Sequence, residues 1–371
     1  MRQPASDAIV FPDMQATTTT PPIPFQPRLF AAPAARIPSL DGLRALSILL
    51  VLFGHLVGTR GFWFGEVTDP VRALAKFGVH VFFVISGYLI TRILQSEWRK
   101  HGTIRVGKFY TRRALRILPV AIVYLSVVAV LAGLGLVPVN WGDFAHAATY
   151  TMNFVDAPSW AVGHLWSLSV EEQFYLLWPV TLVLLGWRRA GAACLVFALA
   201  APLLRVGTKI VFGHAAWWAP TDADAIAVGC LLACAGERLG RSERYLRMLR
   251  SPIPLLSLAI PVAGIAVAHR QALSYGFMQL AHLSAALVID RFVRYPGSFG
   301  GGILNTPILM RIGVLSYSLY IWQEIFLDRT SSLAVAQFPL NLVCALAAAV
   351  LSYRFVEQPF LAWRDRMERA R

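Results

Sequence analysis

The sequence predicts an all-α fold: a polytopic integral membrane bundle of about ten transmembrane helices. Three observations lead there. Only 15% of the residues are charged while 57% are hydrophobic, and mean hydropathy is +0.57; a soluble domain carries about a quarter charged residues. The apolar residues also fall in long blocks, such as Ala121–Val139, Leu176–Trp187 and Val343–Ser352, which approach the roughly 20 residues a helix needs to cross a bilayer. Within lipid every backbone polar group must be satisfied internally, by helix or closed barrel. Barrel strands alternate apolar and polar residues; these blocks do not.

Taken in order, the first three spans cover about residues 40–58, 77–95 and 113–136. The stretch Gly142–Ala157 carries Asp143, His146, Asn153 and Asp156, so it is read as a loop or re-entrant piece. The spans resume at 165–186 and 190–206, separated by Arg188 and Arg189, and continue at 221–236, 252–268, 272–290, 308–327 and 333–355. Lys and Arg test this count. With the N-terminus inside, the inner segments hold 26 of them and the outer segments seven, as the positive-inside bias requires. The outer loop Pro138–Gly163 holds none, and offers Trp141, Tyr150 and Trp160 as interfacial anchors. The net charge of +14 is therefore a topology signal, and no nucleic acid is expected as partner.

Residues 1–36 are rich in Pro, Thr and Ala and contain no apolar signal-peptide core. They are read as a flexible cytoplasmic extension, followed by the membrane domain over 37–362 and a basic cytoplasmic tail over 363–371. Cys230 and Cys234 lie one helical turn apart, but no His or carboxylate pattern completes a metal site; no metal is expected.

Ionisable residues inside spans are costly and mark functional pathways by default. Arg44 and His55 stand eleven apart in the first span, about 16.5 Å of rise and about 20° from alignment, with Arg44 toward the cytoplasm. A neutral buried His can take a proton from a hydroxyl, and Arg44 suits the phosphates of an acyl carrier. The bland alternative is an Arg that snorkels to the surface and a packed polar His. Arg113 and Arg116, three apart, face together as a phosphate-gripping pair or serve as a topogenic cluster. Glu171 and Glu172 open a span from the outer side, where a solvated helix N-terminus also favours negative charge; Glu171 shares a face with Tyr175. Ser86-Gly87 suits close helix packing. His80, Asp222, Asp224, Tyr317, Tyr320 and Gln323 are further candidates for shaping an acceptor pocket.

Six pieces in order resemble the membrane acyltransferase-3 family: Asp41-Gly-Leu-Arg44 with His55, Phe82-Phe-Val-Ile-Ser-Gly87, Arg113-x-x-Arg116, Trp166-Ser-Leu-Ser-Val-Glu171, Leu315-Ser-Tyr-Ser-Leu-Tyr-Ile-Trp322 and Tyr353-Arg-Phe-Val-Glu-Gln-Pro359. The similarity runs over about residues 37–363. It implies an enzyme of the bacterial inner membrane, both termini cytoplasmic, that moves an acyl group, commonly acetyl from acetyl-CoA, onto a sugar hydroxyl. Acceptors in that family include lipopolysaccharide O-antigens, exopolysaccharides and peptidoglycan, so a glycan or glycolipid is the expected partner. The resemblance makes His55 the catalytic histidine, with Glu171 as the motif carboxylate. It makes Arg44 the motif partner of His55 and Arg113 and Arg116 the paired arginines; with the charge reading above, these three are expected to bind acetyl-CoA near its phosphates. Three positions depart from the pattern: His80 where many relatives have Asp, Gln323 where many have His, and Asp222 where an Arg often precedes the motif aspartate. Some relatives add an SGNH-hydrolase domain; no Gly-Asp-Ser motif occurs here, so the chain is expected to act alone or with a separate partner. The rival readings are a transporter using His55, Arg44 and Glu171 as a proton or substrate path, and a non-catalytic member of a glycan-assembly complex.

Overall fold

The structure, a computed structural model, describes residues 37–65, 68–212, 220–267 and 271–369. The extension read over residues 1–36 lies outside them. All regular structure among the described residues is helical. The helices are α1 (Pro38–Leu56), α2 (Asp69–His101), α3 (Val106–Gly133), α4 (Trp141–Ala148), α5 (Trp160–Gly163), α6 (Leu165–Phe212) and α7 (Asp224–Gly240). There follow α8 (Glu243–Arg250), α9 (Ile253–Val267), α10 (Gln271–Arg294), α11 (Gly301–Leu304), α12 (Pro307–Phe326), α13 (Leu340–Ser352) and α14 (Gln358–Arg369).

The stretches expected from hydropathy overlap helices among the described residues, the last of them only from Leu340 onward. Five helices among the described residues are long and apolar enough to cross a membrane by length and composition: Pro38–Leu56, Pro70–His101, Val106–Gly133, Trp160–Val211 and Leu340–Arg369. The expected break between the fourth and fifth spans is a bend within α6. Gly186 leaves helical geometry (φ 71°, ψ 167°) immediately before Trp187-Arg188-Arg189, a backbone conformation that L side chains rarely adopt.

Local chemistry sets the helix ends. Pro stands in the first turn of α1, α2 and α12, where its missing N–H costs nothing. Helix α2 stops at Gly102 in the left-handed region (φ 66°), shortly after Arg99 and Lys100, cations that complement the helix C-terminus. The segment expected to be a loop or re-entrant piece forms α4 and then turns. The Asn140 side chain accepts the Gly142 N–H at 2.7 Å, an N-cap that starts α4. Asp143 accepts both the backbone N–H and the hydroxyl of Ser159 at 2.7 Å, and so fixes the start of α5.

Helix α1 packs against α2 on one side and α12 on the other, and α2 packs most extensively on α7. The α2–α7 crossing is backbone to backbone: a Cβ on Gly87 would lie 2.0 Å from the Ile226 carbonyl oxygen, and one on Gly229 would lie 2.1 Å from that of Val84. Small residues permit this approach where lipid supplies no hydrophobic drive between helices. Large apolar side chains point outward instead, including Ile122 on α3 and Leu177, Leu184, Leu203 and Ile210 on α6. Such an apolar exterior suits contact with lipid rather than water.

Candidate active site

Six ionisable residues singled out in the sequence, Arg44, His55, Arg113, Arg116, Glu171 and Asp222, line two adjoining cavities; Glu172, His80 and Asp224 line neither. The narrower, about 90 Å³, is lined by Arg44, Arg113, Arg116, Glu171, Tyr175 and Tyr317, with Ser86, Val79 and Tyr320. The wider, about 580 Å³, is lined by His55, His164, Trp160, Trp166, Glu324 and Arg329, with Lys76, Asp222, Val79 and Tyr320. Val79 and Tyr320 belong to both walls, so the cavities meet there. Sequence spacing placed Arg44 and His55 on one helix face; the fold gives each its own cavity along that face. Glu171, expected to act from the outer side, lies with the three arginines rather than with His55.

The narrow cavity is cationic by construction. Arg44 comes from α1, 3.7 Å from the Asp41 carboxylate one turn earlier. Arg113 and Arg116 come from α3. The Arg113 guanidinium lies over the Tyr175 ring at 4.5 Å and over the Phe109 ring at 5.7 Å, a cation–π arrangement that holds the fork in place. Tyr175 donates its hydroxyl hydrogen bond to Glu171, the one-turn pair expected from sequence. Beneath them the chain from α13 to α14 passes through one π-helical turn, Tyr353–Glu357. That turn buries Glu357, which accepts the Ser318 hydroxyl at 2.8 Å within electrostatic reach of Arg116 and Arg44. Single π turns interrupt helices mostly at functional sites.

In the wide cavity His55 sits at the C-terminal end of α1, and its Nδ1 is 3.2 Å from Oε1 of Glu324 on α12. The two helix ends are tied together by Arg329, which donates to the carbonyls of Gly54 and Val57 at 2.7 Å each. These are carbonyls an α-helix leaves unsatisfied at its C-terminus. The Arg329 guanidinium also lies over the Trp160 ring at 5.1 Å. Trp160 in turn meets His55 edge-on at 5.8 Å and donates its indole N–H to the Glu324 carbonyl at 2.9 Å. Tyr320 donates to the His164 carbonyl at 2.8 Å and shares a 2.6 Å hydrogen bond with Ser167, which fixes the partition between the cavities.

Glu324, Trp160 and Arg329 as partners of His55 escaped the sequence reading. Glu324 and Arg329 flank a helix end, where charge reads as solvated. The available signal was Glu324 one residue past the apolar Tyr-Ile-Trp run, after Gln323. Among the described residues no group of three or more His, Cys, Asp or Glu could hold a metal ion, and the four cysteines are unpaired thiols. The arrangement offers an imidazole backed by a carboxylate, a cation-lined slot, and a partition where contents of the two can meet.

No solved structure matches the chain. Curated proteins do. It is 28% identical over 360 residues to the peptidoglycan O-acetyltransferase OatA of Listeria monocytogenes, an alignment covering 87% of this chain and 55% of that protein. It is 28% identical over 369 residues to a putative O-acetyltransferase of Staphylococcus aureus strain COL, covering 87% and 57%. It is 26% identical over 359 residues to the O-acetyltransferase OatA of Staphylococcus aureus, again covering 87% and 57%. The chain thus spans less than three fifths of the length of these relatives. Residues 37–353, which carry both cavities, match the acyltransferase-3 family, described as an acyltransferase domain: the chain belongs to that family.

Proposed function

We propose that the chain is a membrane O-acyltransferase that carries acetyl from acetyl-CoA to a sugar hydroxyl of a cell-envelope or exported glycan. The observation that carries this reading is His55, backed by Glu324 at 3.2 Å, in a wide cavity that meets an arginine-lined slot at Val79 and Tyr320. The names of the relatives, O-acetyltransferases and in one case a peptidoglycan O-acetyltransferase, support the same class of reaction. In this reading the chain crosses the bacterial inner membrane ten times with both termini cytoplasmic, α6 contributing two crossings about Gly186.

The volumes divide the work. About 580 Å³ falls in the range of small-ligand pockets and takes the sugar, with Trp160 and Trp166 as apolar platforms. The narrower slot, about 90 Å³, takes the slim thioester arm, the phosphates staying on the cytoplasmic side of Arg44, Arg113 and Arg116. Glu324 stands 3.2 Å from Nδ1 with no hydrogen bond formed in this structure, and it orients the imidazole when that contact closes, which leaves Nε2 for the acceptor. His55 takes the hydroxyl proton as the oxygen attacks the thioester carbonyl. The carbon–sulfur bond breaks, and the thiolate leaves with that proton as a thiol. General-base catalysis of this kind contributes about 10²–10⁴-fold.

The test is mass spectrometry of surface glycans from wild-type, deletion and His55→Ala strains, paired with acetyl-CoA turnover by the purified chain. Acetylated glycan in wild type only, with the His55→Ala protein still in the membrane, is the expected result. Full acetylation in the His55→Ala strain overturns the assignment.

A further inference from the structure

The turn from α2 into α3 encloses a third cavity, of about 220 Å³, which shares no residue with the other two. Its walls include Ile93, Glu97 and Lys100 of α2, and Arg105, Lys108 and Arg112 at the start of α3. On α2 these stand at i, i+4 and i+7, and on α3 at i, i+3 and i+7, so each helix turns one face toward the cavity. The turn itself is pinned. Helix α2 ends at Gly102, and Ile104 and Phe109 are buried in the core on either side of Arg105 and Lys108.

The walls carry a surplus of positive charge. Glu97, 7% exposed, accepts from the Arg105 Nε at 3.2 Å, and Arg112 is ion-paired with Glu368 of α14. Lys100 and Lys108 have no carboxylate partner among the described residues. Four cations therefore stand against two carboxylates. Helix α3 adds to the imbalance: its first turn holds no acidic residue, and no side chain caps its start. The positive end of the helix dipole is thus set among cations, an arrangement that a bound anion relieves. The positive-inside bias asks for basic residues on the inner side; it does not ask that three of them share one wall of one cavity.

The depth of the cavity selects the anion. Ile93 belongs to the apolar run of the second span and is 40% exposed, while Lys100, two turns on, begins the basic inner loop. Between them stands Trp98, 44% exposed, a residue type enriched where membrane meets water. The cavity therefore straddles the border between hydrocarbon and headgroups, where basic pockets between membrane helices take anionic headgroups. We propose that it binds the phosphate of an anionic phospholipid, with Lys100 and Lys108 against the phosphate and Ile93 against the first methylenes of the lipid chains. Arg112 directly precedes Arg113, so the bound lipid braces the turn of α3 that presents the arginines of the narrow cavity. The site rests on the bundle standing in a membrane, and its cytoplasmic leaflet on the orientation proposed above; it does not rest on acetyl transfer.

The experiment is native mass spectrometry of the full chain released from detergent, with phosphatidylglycerol or phosphatidylcholine of the same chain length added. Wild type should retain phosphatidylglycerol in preference. A cation beside an anionic headgroup contributes roughly fivefold in affinity, so the double variant Lys100→Gln, Lys108→Gln should lose roughly 25-fold of that preference. The double variant Arg244→Gln, Arg247→Gln removes the same charge from exposed positions on α8 and should keep it. Equal retention of the two lipids by wild type, or equal loss in both double variants, overturns the site. Free CoA and inorganic phosphate are then added to the lipid-bound chain. Phosphatidylglycerol that stays bound supports the lipid as occupant; its displacement assigns the cavity to a phosphate from solution and overturns the proposal. Because the readout is bound lipid, absence of acetyl transfer leaves it interpretable.

Discussion

A carboxylate 3.2 Å from one imidazole nitrogen, its hydrogen bond open in this structure, is placed to select which ring nitrogen faces a substrate once the contact closes. Glu324→Gln keeps the shape but loses the charge that favours the working tautomer and steadies the imidazolium. The expected outcome is a fall in kcat of at least about tenfold with the acetyl-CoA KM little changed, the mark of an interaction made in the transition state. Arg113→Lys is the contrasting case. Lysine loses the planar fork stacked on Tyr175 and Phe109, worth about 0.5–2 kcal/mol. The acetyl-CoA KM should therefore rise about twofold to thirtyfold, read from initial rates at varied donor concentration. Arg44, His55, Arg113, Arg116 and Glu171 were legible because charge inside an apolar run needs a reason. His282 carried the same signal, a lone His in the apolar run of α10, and went unread. Arg205 was counted as an outer-segment cation, yet it lies buried against Asp224. No local pattern shows that a charge near a helix end has a partner on another helix.

Helix positions were legible because hydropathy acts over about 20 residues, long enough to average out single exceptions. What hydropathy cannot register is backbone geometry. The bend at Gly186 and the π turn at Tyr353–Glu357 sit in sequences whose composition continues unchanged. The α2–α7 crossing was half legible: Ser86-Gly87 signalled close packing, while Gly229, its counterpart, lies in a run of small residues with no distinguishing mark. Gly87→Leu forces side-chain carbons into the Ile226 carbonyl, where even a Cβ would stand at 2.0 Å. A loss of about 1–3 kcal/mol or more is expected from such overpacking, seen as a lower unfolding temperature of the purified chain in detergent. Because Ile226 lies one turn from Asp222, the same variant should disturb the wall of the wide cavity before it unfolds the bundle.

At the scale of the whole molecule, the asymmetry of Lys and Arg gave a sidedness that labelling can check. In a chain with its four cysteines replaced by serine, a cysteine at Asp156 should react with a membrane-impermeant maleimide in intact cells. One at Arg99 should react only after the membrane is opened. The reverse pattern would invert the bundle and place the arginine slot on the side opposite the cytoplasm, against the proposed cytoplasmic donor. The family fold was thus readable as a string of spans and motifs, whereas the division of the site into two cavities was not. It depends on where α12 returns against α1 and where the α4–α5 segment delivers Trp160. That division has a consequence for donor choice. In the proposed reading a slot of about 90 Å³ with Val79 and Tyr320 in its wall measures the donor, since each added methylene must fit ahead of the thioester before the carbonyl reaches His55. Turnover should drop from acetyl-CoA to propionyl-CoA to butyryl-CoA. Val79→Ala, which removes two methyl groups from the partition, should flatten that series and admit the longer donors.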